Sequence, residues 1–129
     1  MPKKVINPKT APTPIGPYNQ AVTIDNLVYT AGQIAIDPKS GQLVGGDVST
    51  QARQVLTNLK NLLEGAGSSL EKVVKTTVFL KDLNDFNAMN TVYAEFFKGD
   101  QAPARSTVQV ARLPKDALIE IDAVAFLSD

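Results

Sequence analysis

One apolar stripe, within residues 48–63, limits the folds open to this chain more than any other feature. Its members recur at steps of three and four residues: Val48, Ala52, Val55, Leu56, Leu59, Leu62 and Leu63. That spacing predicts an α-helix with a single apolar face. Asp47 or Ser49 can cap the start of the helix, and Gly65 or Gly67 can end it. Because such a face is stable only when another element covers it, the chain must fold in layers.

Runs rich in β-branched residues supply the partner layer. The predicted strands cover residues 21–24, 27–31, 73–80, 105–110 and 118–127. The first two flank Asp25-Asn26, which predicts a hairpin. The prolines within residues 2–17 predict an extended, non-helical arm with little capacity for ladder pairing.

A second helix separates the third and fourth of these strands. It starts near Asp82 or Asn84, closes at Gly99, and has one apolar side formed by Phe86, Met89, Tyr93, Phe96 and Phe97. Two amphipathic helices can bury their apolar faces and also cover a sheet only if both lie on one face of that sheet. We therefore predict an α+β fold, with two helices packed on one face of a mainly antiparallel or mixed sheet.

Composition removes several classes of function. The chain has no Cys and no His, so it offers no disulfide, thiol nucleophile, imidazole catalyst or zinc site of the usual kinds. Its 13 basic and 13 acidic residues cancel, which gives no support to nucleic-acid binding. Any chemistry is expected to use Arg, Lys, carboxylates, Tyr, hydroxyls, backbone groups and water.

The same sequence predicts a compartment. No apolar run approaches the ~20 residues of a membrane span. The first residues also lack the apolar stretch of a secretory signal. We expect a single cytoplasmic domain over residues 1–129, with no membrane partner.

Strand parity indicates a polar patch on the sheet. Because successive side chains alternate between two faces, Arg105, Thr107 and Gln109 share one face of their strand. Glu120 and Asp122 likewise share a face of the last strand. We expect both sets, with apolar neighbours, on the side that the helices leave open. Symmetric association would cover that mixed surface and create clefts in which polar groups converge.

Arg105 and Glu120 are the leading candidate site residues. Arginine suits two-point recognition of a carboxylate, although Arg105 is also compatible with an ordinary surface cation. Glu120 is compatible with either a solvent-facing position or a catalytic acid. Its spacing from Asp122 allows a pair of glycosidase carboxylates, which the absence of Trp disfavours. Asn90, on the aromatic side of the second helix, is either a satisfied core amide or a donor near a site.

Five ordered blocks of sequence make the chain recognisable. They are Ile15-Gly-Pro-Tyr-Asn-Gln-Ala21, Gly32-Gln33-Ile34, residues 74–83 (VKTTVFLKDL), residues 103–110 (PARSTVQV) and Ala111-Arg-Leu-Pro-Lys-Asp116 running into Ile119-Glu-Ile-Asp-Ala123. Through these blocks the chain resembles the RidA (YjgF) family of imine deaminases along nearly its whole length.

The resemblance implies a chorismate-mutase-like subunit and a homotrimer with sites between subunits. It also implies hydrolysis of 2-iminobutanoate and 2-iminopropanoate to the keto acid and ammonia, which protects pyridoxal-phosphate enzymes. The expected partners are a small imino or keto acid and further copies of the chain. No cofactor is expected, in keeping with the missing His and Cys.

The family's catalytic positions fall on three residues of this chain. Arg105 matches the arginine that binds the substrate carboxylate, and Glu120 matches the acid that positions and activates water. Thr107 stands where the family contributes a backbone carbonyl to that water. Relatives often carry Cys at this position, and a carbonyl role survives the exchange to Thr.

The family's substrate-binding positions fall on four further residues. Tyr18 lines the pocket, Gly32 offers a backbone amide, and Asn90 lies near the substrate. Ala31 stands where many relatives have Ser, a difference that bears on substrate preference or rate.

Two other functions remain compatible with these residues. One is a non-catalytic sensor that binds keto acids in the same clefts; loss of Glu120 with retention of Arg105 would indicate it, and both residues are present. The other is an interaction protein such as a chaperone or a ribonuclease. The neutral charge and the absence of His disfavour a conventional nuclease.

Overall fold

Six strands form one mixed sheet in the computed structural model, which describes residues 2–127. The strands are β1 (Lys4–Ile6), β2 (Ala21–Ile24), β3 (Leu27–Thr30), β4 (Val73–Leu80), β5 (Ala104–Gln109) and β6 (Ile119–Phe126). Their order across the sheet is β1-β2-β3-β6-β4-β5. β4 and β5 are parallel, and every other neighbouring pair is antiparallel. β5 is therefore an edge strand.

Two α-helices, α1 (Val48–Gly65) and α2 (Phe86–Phe96), pack on one face of this sheet. The Asp47 carboxylate caps α1 by accepting a hydrogen bond from the amide of Thr50 at 2.9 Å. Gly67, just beyond the end of α1, has a φ of 90°, a conformation that favours glycine. No helix within residues 2–127 is long and apolar enough to cross a membrane.

The core lies between the helices and the sheet. The predicted stripe of α1 is buried, and its four leucines are fully inaccessible: Leu56, Leu59, Leu62 and Leu63. They share one apolar cluster with inward residues of β4 and β6, such as Val78 and Ile121. Each buried leucine contributes roughly 1.5–3 kcal/mol relative to an exposed one. The predicted fold class is confirmed.

Two local expectations were wrong. The proline-rich arm was expected to have little capacity for ladder pairing, yet Lys4–Ile6 pairs antiparallel with β2. These three residues lie between Pro2 and Pro8 and keep their backbone donors, so they can form an edge strand. The second helix begins only at Phe86, because a 3₁₀ turn, Leu83–Asp85, precedes it. Its cap at Asp82 serves that turn.

The two faces of β5 are also reversed relative to prediction. Arg105 pairs with Thr76 of β4, a fully buried residue on the helix side. Arg105 and Thr107 therefore point toward α2 and not toward the open side. The alternation along β5 was right, but β5 is an edge strand whose outer apolar residue, Val108, is 42% exposed. The assumption that aliphatic residues mark the helix side fails there.

The parity of β6 is as predicted, with Glu120 and Asp122 on the side without helices. We call this side the open face. It carries five large apolar side chains that are each at least one-third exposed: Val5, Ile24, Tyr29, Val108 and Phe126. An apolar surface spread over so many strands is unusual for a monomer.

Candidate active site

Arg105 lies on a bed of aromatic and thioether side chains from α2. Its guanidinium carbon is 4.7 Å from the centroid of the Tyr93 ring and 5.5 Å from that of Phe86. Nη1 is 4.0 Å from the sulfur of Met89. Ring faces attract a guanidinium, particularly where water is partly excluded. The bed holds the cation without neutralising it.

The other two arginines differ from Arg105 in their partners. Arg53 forms a two-point pair with Glu95, and Arg112 forms one with Asp116. Within residues 2–127, Arg105 has no carboxylate partner. It is a half-buried cation with N–H donors directed at no anion. Such a group is suited to an anionic ligand, above all a carboxylate or phosphate.

A cavity of about 410 Å³ adjoins the guanidinium. It is lined by Asn90, Tyr93, Ala94, Phe97, Ala102, Pro103 and Arg105. The lining is mostly apolar, with one amide and one cation, which is the usual character of a small-molecule site. Asn90 thus lies beside Arg105, as the family position implies. We call Arg105, Asn90, Tyr93 and Thr107 the arginine half-site.

The backbone of Thr107 points to the free edge of the sheet. The amide of Val110 donates to Leu80 of β4 at 3.0 Å. Because consecutive residues of a strand direct their backbone groups to opposite sides, those of Thr107 point away from β4. No strand within residues 2–127 covers that edge. The Thr107 carbonyl is therefore available as an acceptor.

The side-chain hydroxyl of Thr107 differs from its backbone carbonyl in its surroundings. Its oxygen is buried and has no hydrogen-bond partner among residues 2–127, which costs roughly 1–3 kcal/mol. We predict that Thr107→Val raises the free energy of unfolding by about 1 kcal/mol. Activity should be retained, because the carbonyl remains. Denaturant unfolding and initial rates check both points; a destabilised variant would show that the hydroxyl has a partner.

Glu120 is the centre of a second group of residues, on the open face. Its carboxyl group lies so close to Gly32 that a β-carbon at that position would stand 2.6 Å from Cδ of Glu120. Only glycine permits this approach without displacing the carboxyl group. The carboxylate is thus held against exposed backbone, where a small polar molecule can reach both groups.

A groove of about 380 Å³ opens beside Glu120. Its lining consists of Ile15, Tyr18, Ala31, Gly32, Pro114 and Glu120. These include four of the predicted site residues. We call Tyr18, Ala31, Gly32 and Glu120 the glutamate half-site.

Buried amides hold the two walls of this groove together. The Gln33 side chain donates to that of Gln20 at 2.8 Å, and Gln20 donates to the carbonyl of Pro12 at 2.8 Å. The backbones of Gln33 and Ile121 exchange two hydrogen bonds. The segment that carries Tyr18 is therefore fixed to the strand that carries Glu120.

The pKa of Glu120 is raised, first by burial and then by the negative charge of Asp122. Burial likewise raises the pKa of Asp122, although the Thr77 backbone and Lys75 act against it. A carboxylate with a raised pKa is a stronger base than an exposed one. Glu120 therefore has the electrostatic character of a general base.

The two half-sites do not meet within one chain. Arg105 pairs with Thr76, whereas Glu120 pairs with Phe79, three positions along the same strand. The odd spacing puts their side chains on opposite faces of the sheet. Their backbones are also separated by roughly 10 Å along the strands and about 10 Å across them. The prediction that both residues lie on one open face was wrong.

Sequence reasoning missed the neighbours that shape each half-site. Phe86, Met89 and Tyr93 were recognised only as the apolar side of a helix. These residues recur at helical spacing and face an arginine on an edge strand. That combination is the signal that could have identified a surface on which the guanidinium rests. Ile15 and Pro114 lie inside the recognised blocks, but nothing in those blocks marks them as groove walls.

Comparison with known proteins identifies the family of this chain. The chain matches the family described as Endoribonuclease L-PSP over residues 8–127. It belongs to the L-PSP (YjgF/RidA) family. The resemblance found in the sequence is thereby confirmed.

Three members of the L-PSP family illustrate how close the match is. A RutC family protein of Pyrococcus horikoshii is 58% identical over 124 residues, which cover 96% of this chain and 98% of that protein. The human 2-iminobutanoate/2-iminopropanoate deaminase is 51% identical over 123 residues, covering 95% of this chain and 89% of the human protein. The crystal structure of E. coli TdcF with bound serine has a TM-score of 0.90 at 48% identity, covering 97% of this chain and 99% of TdcF.

Proposed function

We propose that the chain hydrolyses reactive 2-imino acids, such as 2-iminobutanoate and 2-iminopropanoate, to 2-keto acids and ammonia. The observation that carries the proposal is Arg105, a half-buried guanidinium on an aromatic bed with no carboxylate of its own within residues 2–127. Relatives about half identical to this chain are named as deaminases of these imines. Removal of such imines would protect pyridoxal-phosphate enzymes in the cytoplasm.

Arg105 binds the substrate carboxylate in this proposal. Two parallel N–H donors hold both carboxylate oxygens, which fixes the position of the adjacent imine carbon. Asn90 and the apolar wall of the 410 Å³ cavity adjoin the same guanidinium. The cavity is ample for a substrate of four carbons.

Glu120 activates the water. Its carboxylate accepts a proton from a water molecule, while the free carbonyl of Thr107 accepts a hydrogen bond from the other hydrogen. The water oxygen bonds to the imine carbon, and the carbon–nitrogen double bond becomes single. Glu120 then returns that proton to nitrogen. As the carbon–nitrogen bond breaks, a lone pair of the hydroxyl oxygen forms the keto carbonyl, Glu120 takes the hydroxyl proton, and the leaving ammonia accepts it.

Two copies of the chain are required for this arrangement, because Arg105 and Glu120 lie on opposite faces of the sheet. We propose that the glutamate half-site of one copy docks on the arginine half-site and free β5 edge of the next. The apolar open face supplies a surface for such association. Repetition around a closed ring gives the homotrimer that the family resemblance implies, with one site at each interface.

A trapping assay tests the reaction. An amino acid oxidase generates the imine, and semicarbazide captures whatever is not hydrolysed. The wild-type chain is expected to reduce semicarbazone formation in proportion to its concentration. Unchanged semicarbazone formation would overturn the proposed function.

The variant Arg105→Lys tests the role of the arginine in the same assay. We expect kcat/KM to fall roughly 30-fold, because a single ammonium cannot replace two aligned donors. Arg53→Lys is the matched control, since it alters an exposed pair with Glu95 and should stay within about twofold of wild type. Equal activity of the two variants would remove Arg105 from the site.

A non-catalytic sensor is the second candidate. The solved structure of TdcF contains bound serine, so a family fold of this kind accommodates a small amino acid. A sensor would bind 2-oxobutanoate through Arg105 yet leave semicarbazone formation unchanged. Calorimetric titration beside the trapping assay separates the two functions.

A further inference from the structure

A buried pair of hydroxyl groups lies beneath Arg105. The side-chain oxygens of Thr76 and Tyr93 are 2.7 Å apart. Thr76 is fully inaccessible, and Tyr93 is 6% exposed. The surroundings are apolar, with Val78 and Met89 in the same cluster. A valine and a phenylalanine would fill similar space without burying polar atoms, so the pair calls for a role besides packing.

Each member of the Thr76–Tyr93 pair is also a neighbour of Arg105. Thr76 is the ladder partner of Arg105 on β4. The Thr76 hydroxyl is bonded to Tyr93, and the guanidinium of Arg105 lies 4.7 Å from the centroid of that ring. One hydrogen bond thus joins β4, the strand paired with the strand of Arg105, to the ring on which the guanidinium lies. Burial raises the pKa of the Tyr93 hydroxyl, which keeps the phenol neutral.

We infer that Tyr93, locked by Thr76, is a positioning residue that orients the Arg105 guanidinium for the substrate carboxylate. The inference rests on the proposed function for its substrate. A phenyl ring free to slide by a few tenths of an ångström would still attract the cation, but would not hold the planar guanidinium in one orientation. The hydrogen bond between the hydroxyls removes that freedom, since it accepts only a narrow range of distance and angle.

Three variants separate positioning from packing. Tyr93→Phe and Thr76→Val each remove one hydroxyl and keep the ring, and the double variant removes both. We expect each single variant to raise KM and the dissociation constant for 2-oxobutanoate by roughly five- to tenfold, with a much smaller change in kcat. The double variant should resemble the singles, because the same bond is lost once. Thr91→Val, which removes an exposed hydroxyl elsewhere on α2, is the matched control.

A spectroscopic measurement keeps the inference testable when no substrate is turned over. The chain has three arginines, so single substitutions of Arg53 and Arg112 assign the Nε–H signals. Ordering over the Tyr93 ring should shift the Arg105 signal upfield and slow its exchange with water. Both features should be weakened in Tyr93→Phe and unchanged in Thr91→Val.

Three outcomes of these experiments can be distinguished. An unchanged Arg105 signal in Tyr93→Phe overturns the positioning role, whatever the activity. A wild-type protein that leaves semicarbazone formation unchanged overturns the proposed function alone, provided the Arg105 signal responds to loss of the hydroxyl. A fall in melting temperature with unchanged KM and an unchanged signal would make the pair structural only.

Discussion

An equal mixture of Arg105→Ala and Glu120→Gln chains, each inactive alone, is expected to recover about a quarter of wild-type activity after assembly together. The proposed site combines Arg105 from one copy with Glu120 from its neighbour. In a random ring, half of the copies offer an intact Arg105, and half of their following neighbours offer an intact Glu120. The fraction is the same for any closed ring with head-to-tail interfaces.

The register of the sheet is the physical reason that the proposed site needs two copies. Thr76 and Phe79 of β4 have opposite orientations, and they are the ladder partners of Arg105 and Glu120 respectively. No rotation of either side chain brings both onto one face, because β4 itself lies between their strands. The proposed site therefore requires a second chain.

Controls make the mixing experiment decisive. Chains that carry both substitutions should remain inactive when mixed with either single variant, because every chain of such a mixture lacks the same one of the two residues. Each variant must also elute at the wild-type position in gel filtration, which shows that assembly is intact. A fully assembled mixture without activity would show that Arg105 and Glu120 must act from the same chain, which would overturn a site shared between copies.

Much of the fold follows from local pattern. The α1 stripe predicts its buried face residue by residue, because a helix period of 3.6 leaves little ambiguity in a run of leucines. The hairpin of β2 and β3 and the strands β4 and β6 are equally well marked. The short strand Lys4–Ile6 was missed because its partner, β2, lies about 17 residues along the chain and no local signal announces the pairing.

The candidate site could be predicted only in part. Sequence blocks indicated Arg105, Glu120, Tyr18 and Gly32, and the structure places the last three around one groove. Parity could not decide which face of β5 meets α2. Aliphatic residues mark the helix side of a strand only where the helices cover that strand, and β5 lies at the edge of the sheet. The separation of the half-sites depends on the parallel register of β4 and β5. That register is a non-local property, which the periodicity of the sequence does not predict.

Glu120→Gln is expected to abolish most activity and to stabilise the fold at neutral pH. Removal of a general base typically costs 100- to 10,000-fold, so we expect kcat to fall roughly 1,000-fold. The pKa of Glu120 is raised in the folded chain by burial and by Asp122. Its ionised form is therefore less favourable in the folded state than in the unfolded one. Glutamine removes this penalty, so the melting temperature at pH 7 should rise.

The sign of the pH dependence follows from the same shift. As pH rises from the unfolded pKa through the raised folded pKa, the folded state loses a proton that it holds more tightly, and wild-type stability falls. Glu120→Gln should lack that decline. In wild type, activity should fall as pH drops through the folded pKa, because a protonated carboxyl cannot accept a proton from water.

Asp122→Asn is the matched control for this prediction, because it removes the neighbouring charge and leaves Glu120 in place. Since Asp122 raises the pKa of Glu120, its removal should move the acid limb of the rate profile to lower pH while hydrolysis continues. Thermal unfolding and trapping rates across the acid range measure both effects. If Glu120→Gln is less stable than wild type, its carboxylate has a favourable partner, which an adjacent copy of the chain would have to supply. If Asp122→Asn leaves the acid limb in place, the limb belongs to a group other than Glu120, and the water must be activated elsewhere.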